Sequence, residues 1–234
     1  MSNPHQQFHN ALTVLETVFA PVSEQPFPVS GCLHCYREAD IEALSGPISK
    51  VHEDLLCSAA GKSAEHWDDF SEFYQRLTPR TIRLLVAGRL HLGHDLIASR
   101  LREARWCEWP QDRREALENV WHAWWRSVLH EQTEDQRVTD VLELLSVSTG
   151  SLTPWLEIWS RTRTPAADQR LNEALAHWLS EWGLADLHLG FYGELHATPE
   201  LLAWLLSLEP GRLSAARRAE IEDVARYADT LDTD

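Results

Sequence analysis

The 234-residue chain has no apolar run long enough to cross a bilayer, which takes about 20 residues. Its opening stretch, MSNPHQQFHNALTV, lacks the basic region and long apolar core of an export signal. A reducing, cytoplasmic compartment is therefore expected, and the four cysteines read as free thiols or metal ligands rather than disulfides. Sustained apolar–polar alternation is also missing, so no sheet is expected. Neither G-x-S-x-G nor H-E-x-x-H occurs, which removes two common hydrolase signatures. Gly61-Lys62-Ser63 copies only the end of a phosphate-binding loop. Leu56 stands where that loop has its glycine, and the preceding residues read as helix instead of strand. Positive charge is in short supply: 21 Lys+Arg against 36 Asp+Glu leave −15. That charge repels nucleic acid and anionic membrane over most of the surface.

Tryptophan, in contrast, is plentiful, with 11 in the chain, and hydrophobic residues make up 44%, enough for a packed core. The organising stretch is Asp112–His130. On a helical wheel Leu117, Val120, Trp121, Trp124, Trp125 and Val128 share one side, and Glu115, Asn119, His122 and Arg126 the other. A stripe filled by three indoles must be covered by several neighbouring helices. Leu171, Ala174, Leu175, Trp178 and Trp182 repeat the device in the segment 166–182.

Nearly every segment after Cys32 reads helical. Thr78-Pro79, Thr153-Pro154, Thr164-Pro165 and Thr198-Pro199 each look like a helix start, with threonine capping and proline at the first helical position. Ser63 is a further cap candidate, opening a helix whose stripe is Trp67, Phe70, Tyr74 and Leu77. Residues 1–31 read as an N-terminal arm, with a short helix over 8–19 and a proline-rich lead-in carrying Pro21, Pro26 and Pro28. Residues 32–234 read as a single all-α domain of about eight to ten helices in antiparallel pairs. It would be either a HEAT-like solenoid or an irregular bundle. Leu90–Gly93 and Leu187–Gly190 share L-H-L-G, a hint of a repeat without a fixed period.

The most chemical-looking motif is Cys32-Leu33-His34-Cys35. Two cysteines three apart can face one metal ion, but tetrahedral zinc wants four ligands. His52 and Cys57 are the nearest candidates to complete the set, with His34 a further one, in the order C-x2-C-x16-H-x4-C. No second C-x2-C exists. A redox pair is a second reading, since a cysteine at a helix N-terminus has a lowered thiolate pKa. Small side chains packing the arm onto the body are the third and plainest. His66-Trp67-Asp68-Asp69 could suggest a carboxylate–imidazole metal site and His91-x2-His94-Asp95 a metal-sharing histidine pair, but the first reads better as a solvated acidic face and the second as a capped loop. Arg100, Arg102, Arg105, Arg113 and Arg114 could line a basic groove, but Glu103, Glu108, Asp112 and Glu115 are interleaved, the pattern of a salt-bridged surface.

The order C-L-H-C, H-W-D-D-F, L-T-P-R, W-C-E-W-P and R-R-E-A-L over roughly residues 32–130 resembles an uncharacterised family of bacterial all-helical proteins. The resemblance implies a bacterial, cytoplasmic helical protein and brings no activity, cofactor or site. Taken together, the residues point to a non-enzymatic scaffold that binds a protein partner through indoles displayed in a groove. Neither a membrane nor nucleic acid is expected as a partner, and no small-molecule ligand is specified. The alternative is a zinc protein built on Cys32, Cys35, His52 and Cys57, structural or catalytic. No other cofactor is expected.

Overall fold

The computed structural model describes residues 3–130 and 137–231, the side chains of 181, 182, 229 and 231 excepted. Among the described residues there are eleven α-helices: α1 (Pro4–Ser23), α2 (Glu38–Ser45), α3 (Glu53–Gly61), α4 (Phe70–Val86), α5 (His94–Glu103), α6 (Gln111–His130), α7 (Val138–Thr149), α8 (Thr153–Arg161), α9 (Pro165–Trp178), α10 (Thr198–Ser207) and α11 (Ala215–Leu231). The all-α class is as expected, with one addition. A two-stranded antiparallel ribbon pairs β1 (His188–Leu189) with β2 (Leu195–His196). No helix among the described residues is long and apolar enough to cross a membrane. The chain divides into two compact units, Met1–Trp124 and Trp125–Asp234, with the division inside α6.

In the first unit α1 packs on α4. Asn3 opens α1, its side chain accepting from the His5 N–H at 2.8 Å, and Pro4 fills a first-turn position that needs no donor. Phe8, Leu12, Leu15 and Phe19 then form one buried face. This helix overruns the expected 8–19 and passes through Pro21. In the last turn a missing N–H forfeits only one bond, so the extended lead-in begins after Ser23.

Thr78-Pro79 does not start a helix. Both residues lie inside α4, whose buried Tyr74, Leu77, Ile82 and Leu85 hold the turn together across the proline. Ser63 likewise opens only a 3₁₀ turn, Ala64–His66, and not the long helix expected there. The other three Thr-Pro pairs do sit at the starts of α8, α9 and α10. At α9 the Thr164 hydroxyl accepts from the Ala167 N–H at 3.1 Å. The L-H-L-G match marks no repeated unit: residues 90–93 are a loop before α5, and 187–190 contain β1.

The stripe on α6 is as the wheel places it. Leu117, Val120, Trp121, Trp124, Trp125 and Val128 are all buried, and Glu115, Asn119, His122 and Arg126 are exposed. Phe8 stacks on Trp124 with ring centroids 5.6 Å apart in the first unit. In the second, Trp125 meets Trp159 edge-on at 5.3 Å and donates to the Trp155 carbonyl at 2.9 Å. Ten of the 11 tryptophans are buried. The side chain of the remaining one, Trp182, lies outside the described residues. The partner reading thus loses the displayed indoles it was drawn from.

One arginine ties several ends of the first unit together. Arg76, on α4, is 1% exposed. Its guanidinium donates to the carbonyls of Val22 (2.9 Å) and Gln25 (3.0 Å) at the end of α1, and of Leu44 (3.1 Å) and Gly46 (2.8 Å) at the end of α2. It also lies over the Phe27 ring, 5.2 Å from the centroid. Burial draws its pKa below the ordinary arginine value, though a guanidinium stays charged at neutral pH. One member of the basic-groove candidate is used in the same way. Arg100 is buried, donating to the Gly61 carbonyl at the end of α3 and to Glu103.

Replacing Arg76 by Ala strips donors from four carbonyls, that of Leu44 buried and the others partly so, and the expected loss is about 3 kcal/mol. Arg76→Lys should recover little of it, because one ammonium cannot reach two helix ends. Urea unfolding of both variants is the check, and an R76A midpoint equal to the parent's would remove Arg76 from its role.

Candidate metal centre

The site grows from a backbone constraint. Gly31 and Trp67 form an antiparallel bridge, flanked by Cys32 N–H to His66 O (2.9 Å) and Asp68 N–H to Ser30 O (3.2 Å). A Cβ on Gly31 would stand 2.7 Å from the Trp67 ring, so only glycine lets the segments approach this closely. After the bridge the chain turns tightly, with the N–H groups of Cys35 and Tyr36 both donating to the Cys32 carbonyl at 3.0 Å. Tyr36 then packs on Trp67 (centroids 4.9 Å apart) and Trp67 on Phe73 (4.3 Å), while the Tyr36 hydroxyl donates to Ser58 O at 3.1 Å.

The opposite wall is the 3₁₀ turn Ala64–His66. Glu103 of α5 anchors it by accepting from the Ala64 N–H at 2.8 Å, and Arg100 holds Glu103 at 2.6 Å. Trp67 follows with extended backbone, φ −137° and ψ 135°, which ends the turn and aims His66 at the cysteines.

Three donors converge as a result. Cys32 Sγ, Cys35 Sγ and one ring nitrogen of His66 lie within 4.8 Å of one another. His66 Nδ1 is 3.5 Å from Cys35 Sγ. Zinc bonds of about 2.3 Å to sulfur and about 2.0–2.1 Å to nitrogen, at a tetrahedral angle, put S and N about 3.5 Å apart. The Glu65 carboxylate stands 3.9 Å from the far nitrogen, Nε2, on the side where histidine ligands take an orienting partner. The Cys32 thiol is lowered to about 7, first by its hydrogen bond with His66 and then by the backbone N–H groups of Cys35 and His34. A lowered pKa favours the thiolate, the form that binds metal.

Of the four residues expected to share a metal, the structure brings Cys32 and Cys35 together, and the third donor is His66. His52 precedes α3, its ring 80% exposed and 3.5 Å from Asp54. Cys57 lies on α3, where burial pushes its thiol up. His66 escaped the sequence because H-W-D-D-F reads as unbroken helix with Trp67 on its stripe. The usable sign was Asp69, a favoured capping residue type directly before Phe70, which separates His66 from α4.

No family model, no curated protein and no solved structure matches the chain. The resemblance of residues 32–130 to a bacterial helical family therefore rests on its motifs alone.

In metal-free protein, alkylation of Cys32 should rise through a midpoint near 7, whereas Cys57 should react only above the ordinary thiol range. His66→Ala should move the Cys32 midpoint up toward 9.0. Peptide mapping of iodoacetamide adducts across a pH series reads both, and an ordinary Cys32 midpoint in the parent would contradict the site's electrostatics. Separately, Gly31→Ala must push against Trp67, and an expected cost of about 1–3 kcal/mol is measurable by urea unfolding.

Proposed function

We propose that this is a metal-binding protein, holding one zinc-class ion at Cys32, Cys35 and His66. The observation that carries the reading is the convergence of two sulfurs and one imidazole within 4.8 Å, from segments 31 residues apart, with Cys35 and His66 3.5 Å from one another. Two thiolates and an imidazole suit zinc and disfavour magnesium or calcium, which take oxygen. A simple redox pair would need only the two sulfurs, and the third donor argues for an ion. The site offers three protein donors among the described residues, so a fourth position is available to water or an outside ligand. The ion's work here is to clip the extended lead-in to the turn before α4.

The test is cobalt and zinc titration of chelator-treated full-length protein. One equivalent of cobalt should give a thiolate-to-cobalt charge-transfer band, and Cys35→Ser should abolish it. Zinc at about 1,000 times its dissociation constant should add about 4 kcal/mol to unfolding free energy. A parent protein that develops no thiolate–cobalt band would end the proposal.

A further inference from the structure

We infer a second metal site in the C-terminal unit, formed by Asp186, His188 and His196, for a borderline divalent transition ion such as zinc, nickel or cobalt. Its residues are independent of the cysteine corner, and the inference stands whether or not that corner binds metal.

The two strands are in register so that His188 pairs directly with His196. Directly opposed residues project from the same face of a ribbon. Their rings are stacked, 13° from parallel with centroids 4.7 Å apart. Both Nε2 atoms face one carboxylate oxygen: Asp186 Oδ1 is 3.2 Å from His188 Nε2 and 3.8 Å from His196 Nε2. The three donors lie within 4.8 Å of one another. Metal bonds of about 2.0–2.1 Å to nitrogen and oxygen at a tetrahedral angle separate donors by about 3.4 Å, between the two measured values. An Asp–His ion pair alone would occupy one imidazole. Here a single oxygen addresses two rings held parallel, which is the layout of a ligand set. Two imidazoles and a carboxylate suit zinc, nickel and cobalt.

The backbone holds this arrangement before any ion arrives. The Leu187 N–H donates to the Thr198 hydroxyl (2.7 Å), which itself donates to Leu184 O (3.0 Å) at the start of α10. Ala197 N–H donates back to Leu187 O at 2.8 Å. On the turn side, Gly190 has φ +94° and Gly193 φ +69°, left-handed values that favour glycine. The Gly190 N–H is held by Glu143 of α7 at 2.7 Å. All three donor side chains are partly open to solvent, so water can complete the coordination and an ion can enter without the helices moving.

The experiment is nickel titration of metal-free full-length protein, read by calorimetry in the parent and in a Cys35→Ser background that removes the cysteine site. One equivalent should bind at the ribbon in both. His188→Ala and His196→Ala should each weaken it about 100-fold, and Asp186→Asn at least 10-fold. The thiolate–cobalt band belongs to the cysteine site and should persist in all three variants, so the two sites fail independently. Nuclear magnetic resonance on the unmutated chain gives a second reading that needs no variant. Paramagnetic broadening by substoichiometric nickel should centre on residues 186–196. Broadening centred elsewhere, or nickel affinity unchanged in both histidine variants, would overturn the site.

Discussion

The fold depends on donors for its helix C-termini. Every α-helix leaves four carbonyls without intrahelical partners, and eleven mostly short helices multiply that debt in a buried setting. Arginine meets much of it. Arg76 serves the ends of α1 and α2, Arg100 the end of α3, and Arg80 the Ile48 and Val51 carbonyls between α2 and α3. In the second unit Arg212 donates to Trp159, Ser160 and Thr162 at the end of α8 and to Asp168 in the first turn of α9. Arg218 serves Leu206 in the last turn of α10 and Leu208 just after it. A guanidinium suits the task because it has five donors in a rigid fork, and because cations are favoured at the negative end of a helix dipole. This also bears on the acidity of the chain. Arg76 and Arg100 are buried against helix-end carbonyls, which adds to a surface acidity already set by 21 Lys+Arg against 36 Asp+Glu.

The indoles are used by the same logic. An indole buries a large apolar area but carries one N–H that needs an acceptor. Trp109 donates to Ala104 O, Trp125 to Trp155 O, Trp159 to Ala167 O and Trp204 to the Ser160 hydroxyl. Most of these acceptors are main-chain carbonyls in neighbouring turns. These four indoles fill the core and fasten neighbouring segments at once, whereas the buried Trp67 and Trp121 contribute packing alone, their N–H groups having no hydrogen-bond partner among the described residues.

What was legible in the residues is what repeats at helical spacing. The α6 stripe emerges from its periodicity, and three Thr-Pro pairs mark helix starts, although only Thr164 caps its helix as expected while Thr153 and Thr198 fall inside the first turn. The misreadings share one cause: long-range packing overrode a local signal. Burial around Tyr74 and Ile82 carries α4 through Pro79, and an anchored last turn carries α1 through Pro21. The Cys32–Cys35–His66 corner was half legible. Cys32 and Cys35 are neighbours in sequence, but His66 reaches them only because Gly31 pairs with Trp67, a contact no local pattern encodes. The two ring donors of the ribbon, His188 and His196, were hidden for a like reason, since two-residue strands leave no alternation to detect.

The cysteine corner is therefore built by packing before it is built by any ion. Its ribbon is a single bridge, and so short a pairing is marginal in water. What holds it is the run Tyr36–Trp67–Phe73, with Gly31 closed against the indole, and the Arg100–Glu103–Ala64 chain behind the histidine turn. Classical zinc fingers are unfolded without metal because the ion supplies most of their folding free energy. Here the three donors already lie within 4.8 Å of one another, Cys35 and His66 at 3.5 Å, on a framework packed by aromatics. An ion arriving at such a site spends little of its binding free energy on ordering the chain. Metal removal should then loosen the lead-in while the helices persist, because their ends are satisfied by arginine and not by metal.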